Sequence, residues 1–240
     1  MVVNMGAILK LKKIWRPQRE KIYSFKYHHF LNTLPQARLK EILLFSESDQ
    51  IEKTLPSLAD KRTLCFDDGA HKYLLKKILK KSPPHLLQYY FGGADPDPTQ
   101  VAGFMIMGGL GRLAVRKDYF DLVICPFSQE TRKVNDEILV KICQTIKNGG
   151  RLVLSLMHPQ LEHLLFNQNP AETQSSNSTV SQYFKILKEH EVYTEEITEG
   201  MVDATLKPFF ATEDEVDYYQ EYKHTPLTLL FKAVKFSKKR

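Results

Sequence analysis

The chain has little of what marks membrane-spanning, secreted or fibrous proteins. No apolar run approaches the roughly 20 residues of a membrane span, and Lys12 and Lys13 follow the first mildly apolar segment, the reverse order to a secretory signal. The cysteines, Cys65, Cys125 and Cys143, are too few for a disulfide framework and are not spaced as zinc ligands. Eleven Gly and 12 Pro exclude collagen-like and low-complexity classes. We therefore expect a cytoplasmic protein that holds no metal and does not contact a membrane.

What the chain does contain is enough apolar sequence for one large domain, together with a polarised charge. Of its 240 residues, 42% are hydrophobic, which suffices for a sizeable core. The net charge of +6 is not uniform: residues 1–62 hold 12 basic and 6 acidic residues, whereas 189–222 hold 11 acids and one Lys. Solvated charged faces explain this pattern. A nucleic-acid partner is not favoured, because aromatic residues are not interleaved with the basic ones and no nucleic-acid-binding motif is present.

Helical and strand patterns alternate along the chain, which predicts a layered α/β fold with a mainly parallel sheet. The clearest unit is a strand–helix–strand segment over 120–156, in which the strands 120–125 and 151–156 are almost wholly apolar and Asn148-Gly149-Gly150 is expected to end the helix. Further strands are expected at 63–66, 85–91, 191–197 and 228–236, and helices at 18–33, from Gln36 to about 45, at 51–58, around 73–79, at 99–107, 134–146 and 180–190.

Four loops follow predicted strands, at 66–71, 92–98, 126–131 and 157–163. In an open parallel sheet, ligands bind beyond the carboxyl ends of the strands. We therefore expect any site to use residues of these loops. They offer Asp67, Asp68, Asp95, Asp97, Pro126, Ser128, Glu130, His158 and His163.

Three segments resemble the class I S-adenosylmethionine (SAM)-dependent methyltransferases that act mostly on small molecules. Tyr119–Cys125 reads YFDLVIC and Ile146–Ser155 reads IKNGGRLVLS, similar to the family's FDLV and, after a helix, LkpGGrLvlS. Gly93–Pro98 reads GADPDP, similar to the family's GvDxSP. The resemblance covers residues 60–156 well, and residues 180–236 match in element order.

The resemblance implies a Rossmann-like methyltransferase fold: a mainly parallel seven-stranded sheet flanked by helices, in a domain of residues 61–240 with a helical N-terminal cap of residues 1–60. It implies methyl transfer from SAM to a small or medium-sized acceptor, without a metal. The acid that hydrogen-bonds the cofactor's ribose falls on Asp95. The remaining cofactor-binding positions are Phe66, Asp67, Asp68, Gly69, Pro96 and Pro126.

The first motif departs from the family pattern. The family's xDLGCGTGxyLL aligns with Thr63–Leu75, so that Cys65 replaces the usual strand acid, and Asp67 and His71 replace two of three glycines. Those glycines let the backbone approach the cofactor closely. Either Asp67 or Asp68 receives the cofactor's amino group, or the chain is a methyltransferase-like protein that has lost SAM binding and serves as an interaction or regulatory protein with a protein partner. A cleft filled by Phe66, Asp67 and His71 would favour the second alternative.

Other single residues have an ordinary structural explanation beside a functional one. His158 follows a predicted strand and is the candidate catalytic base, although a surface or capping role is the simpler explanation. Asp121 is expected to be structural and Cys125 a small core residue. Ser128 lacks a GxSxG context, so a hydrolase triad is not supported.

Overall fold

The computed structural model describes residues 27, 29–31, 34–81, 83–91, 104–128, 134–167, 180–210 and 218–236. Its strands are β1 (Arg62–Asp67), β2 (His85–Tyr90), β3 (Phe104–Met107), β4 (Phe120–Phe127), β5 (Ile146–Met157), β6 (Val192–Met201) and β7 (Pro226–Lys235). Its α-helices are α1 (Gln36–Thr54), α2 (Lys72–Lys80), α3 (Asp136–Thr145), α4 (Pro159–Asn167), α5 (Val180–Glu189) and α6 (Tyr218–Tyr222). Short 3-10 helices cover Leu110–Arg112 and Ala204–Phe210.

The seven strands form one sheet in the order β3-β2-β1-β4-β5-β7-β6. The pairs from β3 to β5 are parallel, whereas β7 runs antiparallel to both β5 and β6. The strand order turns outward in both directions from β1 and β4, so the loops after these two strands lie at the switch point where α/β sheets bind ligands. The expected mainly parallel sheet of seven strands is confirmed.

The buried central strands explain the apolar runs in the sequence. Residues 122–127 of β4 and 152–157 of β5 are all buried, as strands covered on both faces must be. Cys65, Cys125 and Cys143 are free and buried, and burial raises the pKa of each thiol. The structure therefore confirms the expectation that Cys125 is a small core residue.

Three sequence expectations about element boundaries are wrong. Helix α1 is continuous from Gln36 to Thr54, where the sequence predicted separate helices with a break after about residue 45. The segment predicted as a helix over 99–107 contains strand β3 at its described end. Gly149 does not end α3, because β5 already begins at Ile146 and contains Gly149 with a φ of 76°. The irregular pairing between Phe120 and Leu122 accommodates this extra length.

Helix α1 packs into one apolar cluster with its first half and into a second with its last turns. Leu39, Ile42 and Leu43 join an apolar cluster with Tyr27 and Phe30, which is completed by Leu34, Met157, Leu161, Val202, Leu206, Phe210, Tyr219, Tyr222 and Leu227. Further along α1, Ile51 packs in the cluster that contains Leu74, Leu75 and Ile78 of α2. Helix α1 is thereby fixed beside the carboxyl ends of the central strands.

Asp121 is structural, as expected. Its carboxylate accepts hydrogen bonds from the Arg62 backbone N–H and Nε at 2.9 and 3.1 Å, and it pairs with Lys147. Burial alone would raise the pKa of Asp121, but these hydrogen bonds, first that from Lys147, lower it to about 2. The pairs join the first residues of β1, β4 and β5. Among the helices that the structure describes, none is long and apolar enough to cross a membrane.

Candidate functional site

The loop between β1 and α2 closes on itself through its two aspartates. Asp67 is the last residue of β1, and its Oδ1 accepts a hydrogen bond from the Gly69 N–H at 2.9 Å. The next carboxylate repeats the arrangement, since Asp68 Oδ1 accepts from the Ala70 N–H at 2.8 Å. Such short-range bonds from aspartate to the backbone two residues ahead are Asx-turns. The loop amides that precede α2 therefore already have partners.

Gly69 is the one position in this loop that requires glycine. Its φ is 87°, which side chains with a Cβ rarely adopt. A Cβ built there would lie 2.7 Å from the Tyr90 hydroxyl oxygen. Tyr90, the last residue of β2, is itself buried. The backbone at Gly69 is therefore approached closely by the protein's own side chain.

Glu47 of α1 reaches into the same region and connects two strand ends. The side chain is completely buried, with an exposed fraction of 0%. Glu47 Oε2 lies 3.1 Å from His71 Nε2 and accepts the Ser128 hydroxyl at 2.5 Å, while Oε1 accepts the Ser128 N–H at 3.0 Å. Ser128 directly follows β4 and His71 precedes α2. Glu47 thus fixes the loop after β1 to the end of β4.

His71 lies between two carboxylates. Its Nδ1 is 2.8 Å from Asp68 Oδ1, and its Nε2 faces Glu47. Burial would lower the pKa of His71, but the hydrogen bonds to Asp68 and Glu47 outweigh it and raise the pKa to about 10. The same pairing lowers the pKa of Asp68 despite its burial. At neutral pH, His71 is therefore an imidazolium that donates both of its ring N–H groups.

Gln88 of β2 completes the arrangement and leaves one atom without a partner. Its Nε2 donates to Asp67 Oδ2 at 2.7 Å, and Gln88 is only 1% exposed. Its Oε1 is buried and accepts no hydrogen bond from the residues that the structure describes. We call Glu47, Asp67, Asp68, His71 and Gln88 the loop cluster. It contains three acidic side chains and one basic side chain.

The loop cluster also has the composition of a metal site. One ligand atom from each of Asp67, Asp68 and His71 lies within 4.8 Å of the other two. The sequence analysis predicted no metal and did not single out this grouping, although its spacing within five residues was visible.

The structure describes only some of the cofactor-binding residues predicted from the sequence. Phe66 is fully buried, with its ring 5.5 Å from that of Tyr89 and 5.6 Å from that of Phe127. Pro126 lies inside β4, paired with Ser155 of β5, and not in the loop that follows. Asp95, Pro96 and Glu130 lie outside the described residues. Asp67, Asp68 and Gly69 follow one another at the end of β1 and in the loop after it, and their role in cofactor binding stays a prediction.

His158 lies apart from the loop cluster, at the carboxyl end of β5. Its Nδ1 is 3.1 Å from the Tyr27 hydroxyl, and its Nε2 is 3.8 Å from Glu199 Oε1. Tyr27 donates its hydroxyl hydrogen to the Pro226 carbonyl, so His158 Nδ1 is the donor in the other bond. These contacts join the segment at residue 27 to β5, β6 and β7. They account for a structural role, and the catalytic role of His158 stays a prediction.

Glu47 and Gln88 are the residues that sequence reasoning missed. A weak signal for Glu47 exists: the inward face of α1 runs through Leu39, Ile42 and Leu43, and continuing this helical spacing places Glu47 on that face. A charged residue at such a position is buried and needs partners. Gln88 likewise interrupts an apolar strand. It stands opposite Cys65 in the pairing of β1 with β2, and its side chain reaches Asp67 only because the two strands pair in this register.

Among the comparisons with known proteins, only the solved structures give matches. No protein-family model and no curated protein sequence matches the chain. Among solved structures, a SAM-dependent methyltransferase from Mesorhizobium loti matches with a TM-score of 0.52 and 15% identity, covering 79% of this chain and 98% of that one.

Two further structures extend the comparison. A candidate methyltransferase from Haloferax volcanii, in complex with the methyltransferase activator Trm112, matches with a TM-score of 0.57 and 14% identity over 82% of this chain and 91% of that one. The [4+2]-cyclase SpnF matches with a TM-score of 0.51 and 12% identity over 80% and 81%. Identities this low establish the fold alone. Together with the strand order, they show that this chain has the fold of the class I SAM-dependent methyltransferases.

Proposed function

We propose that this chain is a methyltransferase-fold protein that does not take up SAM at its first loop and that acts by binding a protein partner. One observation carries the proposal: the loop that would cradle the cofactor is occupied by the chain's own buried side chains. Asp67 and His71 are 2% and 1% exposed, and Phe66 is fully buried. The sequence analysis associated a cleft filled by these three side chains with loss of SAM binding, and their burial supports that alternative.

The loop amides are unsuited to the carboxylate of the cofactor's methionine end. Backbone N–H groups before a helix ordinarily receive an anion. Here the Gly69 and Ala70 amides donate to Asp67 and Asp68 instead. A carboxylate ligand would have to displace both aspartates and approach their negative charges in a poorly solvated region. The negative charges of Asp67 and Asp68 therefore repel the cofactor carboxylate that this loop would have to bind.

The cofactor's amino group would meet loop carboxylates that the chain's own donors already engage. Both oxygens of Asp67 already accept hydrogen bonds, from Gly69 and Gln88, and the side chain is buried. Asp68 Oδ1 accepts from Ala70 and pairs with His71. In addition, Tyr90 packs where close approach to Gly69 would be needed. The residues present at the first loop are therefore a poor fit to SAM.

A partner-binding role is consistent with what the fold retains. The sheet and its core are complete, while fold by itself does not determine function. One structural neighbour is a complex with an activator protein, and another is a cyclase, so proteins of this fold include both assemblies and other chemistries. On this chain, Phe104 and Met107 of β3 are 81% and 56% exposed. Strand β3 is an edge strand of the described sheet, and edge strands are places where a partner adds to a sheet.

Isothermal titration of the full chain with SAM and with S-adenosylhomocysteine tests the proposal. We expect no binding heat at millimolar ligand. Binding at micromolar concentrations that is weakened by Asp95→Ala would overturn it, because it would show that the predicted ribose contact operates. Asp121→Asn is the matched control for the substitution of an acid, since Asp121 pairs with Arg62 and Lys147 far from the loop.

Methyl transfer from SAM to a small or medium-sized acceptor is the second candidate. Its support is the set of structural neighbours that are SAM-dependent methyltransferases. In that case Asp95 and Pro96 would hold the ribose side of the cofactor, and His158 would be a candidate base. The same titration decides between the two candidates, because this activity requires SAM to bind and the first candidate requires that it does not.

A further inference from the structure

We propose that the outer face of helix α2 is a docking surface for an acidic segment of a partner protein. This face, which we call the lysine face, consists of Lys72, Lys76, Leu79 and Lys80. The inference rests on the proposed function, because it names a surface that meets the partner and the chemistry of that partner. It uses residues other than those of the first loop and of β3.

The four residues of the lysine face lie on one side of α2. Successive residues of an α-helix are rotated by about 100°, which puts these four side chains within a sector of about 100°. The three lysines are four residues apart, so that they follow one another at about 6 Å along the helix axis. All three are exposed, and Leu79 is 39% exposed. The lysine face is therefore a row of positive charges that includes one apolar side chain.

Helix α2 contains no acid that could balance these charges. It reads KYLLKKILK, whereas each of the other α-helices that the structure describes contains at least one acidic residue. Elsewhere, an acid one turn away offsets a lysine, as Glu137 does for Lys141 at 2.6 Å. Lys77 points toward α1 and pairs with Asp49 and Glu52. The three lysines of the lysine face have no ion pair with any residue that the structure describes.

The stability of α2 does not account for the row of lysines. Like charges four residues apart repel one another and destabilise a helix. Lys72 is also the first residue of α2, where a cation opposes the helix dipole. Its Nζ lies 5.3 Å from the centre of the Tyr73 ring, which leaves the charge unneutralised, and the nearest preceding acid, Asp68, pairs with His71. Such an unfavourable local arrangement is expected at a functional surface, and an acidic partner would relieve it.

The burial of the opposite side of α2 argues against a membrane as the occupant. Leu74, Leu75 and Ile78 pack in a core cluster of the domain. A helix that lies on a membrane needs its apolar side free to enter the lipid. Leu79 alone is too small an apolar surface to insert, but it can contact an apolar side chain of a partner. A nucleic acid is not favoured either, since the exposed residues of α2 include no aromatic ring on which a base could stack.

A second copy of this chain is not the favoured occupant. Its acidic segment over 189–222 would be the obvious counterpart, but the described acids of that segment, apart from Glu191, already face basic side chains of the same chain. These pairs are Glu189 with Lys185, Glu195 with Arg151, Glu196 with Lys232, Glu199 with His158, Asp203 with Lys53 and Glu221 with His29. The lysine face therefore fits a partner of another sequence, with an acidic segment that carries an apolar residue.

The test measures how tightly the full chain binds a fluorescein-labelled synthetic peptide of glutamates with one central leucine, by fluorescence anisotropy. The lysine-face variant carries Lys72→Gln, Lys76→Gln and Lys80→Gln. It should bind the peptide about tenfold more weakly at physiological salt, because three exposed charge pairs are lost. The same peptide with glutamine in place of leucine should bind the wild type about twofold more weakly.

The matched control carries Lys141→Gln, Lys185→Gln and Lys188→Gln. It removes the same charge from α3 and α5, whose apolar residues pack on the opposite face of the sheet from those of α2. The control should bind the peptide as the wild type does. The lysine-face variant should also melt at or above the wild-type temperature, since it removes repulsion between like charges. A lower melting temperature would show that the lysines stabilise the fold and would overturn the argument.

The remaining outcomes decide the occupant. Absence of peptide binding at millimolar concentration would overturn the proposal, as would equal binding by the two triple variants. Tighter binding of poly(U) RNA or of phosphatidylserine vesicles than of the peptide, lost in the lysine-face variant, would also overturn it, as would self-association of the chain that this variant abolishes. None of these measurements involves SAM, so that a failure here leaves the proposed function to its own titration.

Discussion

At the scale of single residues, Glu47 connects the loop after β1 to the end of β4. It is fully buried and satisfies His71 and both donors of Ser128. A buried charge is tolerated only when it is paired and hydrogen-bonded. Removing its charge would leave an imidazolium with one carboxylate partner and two donors with a weaker acceptor.

Glu47→Gln is therefore expected to lower the free energy of unfolding by about 2 to 4 kcal/mol. Urea denaturation followed by circular dichroism measures it. Glu137→Gln is the control, because Glu137 lies on the exposed face of α3 and pairs only with Lys141; it should change the stability by about 0.5 kcal/mol or less. Equal effects of the two substitutions would show that the Glu47 contacts contribute nothing.

The raised pKa of His71 predicts a loss of stability in alkali. The pKa is about 10 in the folded chain against 6.5 for an unperturbed histidine. A raised folded-state pKa stabilises the protein fully below pH 6.5, and this contribution is lost as the pH rises through 10. We expect wild type to lose on the order of 3 kcal/mol between pH 6.5 and pH 10 in urea melts. His71→Gln should flatten that part of the profile, and an unchanged slope in the variant would assign the loss elsewhere.

Two glycines with positive φ form a matched pair for testing the crowded loop. Gly69 has a φ of 87° and faces the Tyr90 hydroxyl, whereas Gly149 has a φ of 76° and open space around its Cβ position. Gly149→Ala should cost about 1 kcal/mol of stability for the backbone alone. Gly69→Ala should cost clearly more in the same urea melts, since Tyr90 must also move. If the two costs were equal, Tyr90 would not be packed against the loop.

At the scale of elements, local patterns in the sequence located most strands and helices but not the contacts between them. The apolar runs of β4 and β5 predicted buried strands because burial on both faces permits few polar residues. Strand β3 was missed because it has four residues and follows a segment rich in Gly and Pro. Glu47 and His71 are 24 residues apart, and their pairing depends on the packing of α1, which periodicity cannot supply.

Asp121 offers a test of how the amino-terminal ends of three central strands are held together. Its carboxylate joins the beginnings of β1, β4 and β5 through Arg62 and Lys147. Asp121→Asn should lower stability by about 1 kcal/mol at neutral pH, because Arg62 and Lys147 are partly solvated. A folded-state pKa of about 2 against 3.8 means that this contribution is present above pH 3.8 and lost as the pH falls to about 2. If the free energies of unfolding of wild type and Asp121→Asn decreased equally between pH 3.8 and about pH 2, the stabilising role assigned to Asp121 would be contradicted.

At the scale of the whole molecule, the fold matches that of the methyltransferases, whereas the first loop departs from the family's sequence pattern. The strand order and the structural neighbours establish the methyltransferase fold, which the FDLV-like and GGRLVLS-like segments had predicted from sequence. Where the resemblance predicts two glycines in the first loop, this chain has Asp67 and His71, and these side chains bond to the loop, to α1 and to β2. The sequence shows which residues stand there, but only the structure shows that they are buried and internally bonded.

Equilibrium dialysis with radiolabelled SAM, run side by side on wild type and on the double variant Asp67→Gly, His71→Gly, tests the central claim most directly. The variant removes the two side chains that occupy the loop and frees the Gly69 amide. We predict that wild type retains no SAM at millimolar concentration and that measurable binding is found only in the variant. Wild-type binding at micromolar concentration, as tight as or tighter than that of the variant, would contradict the claim that the chain's own side chains exclude the cofactor.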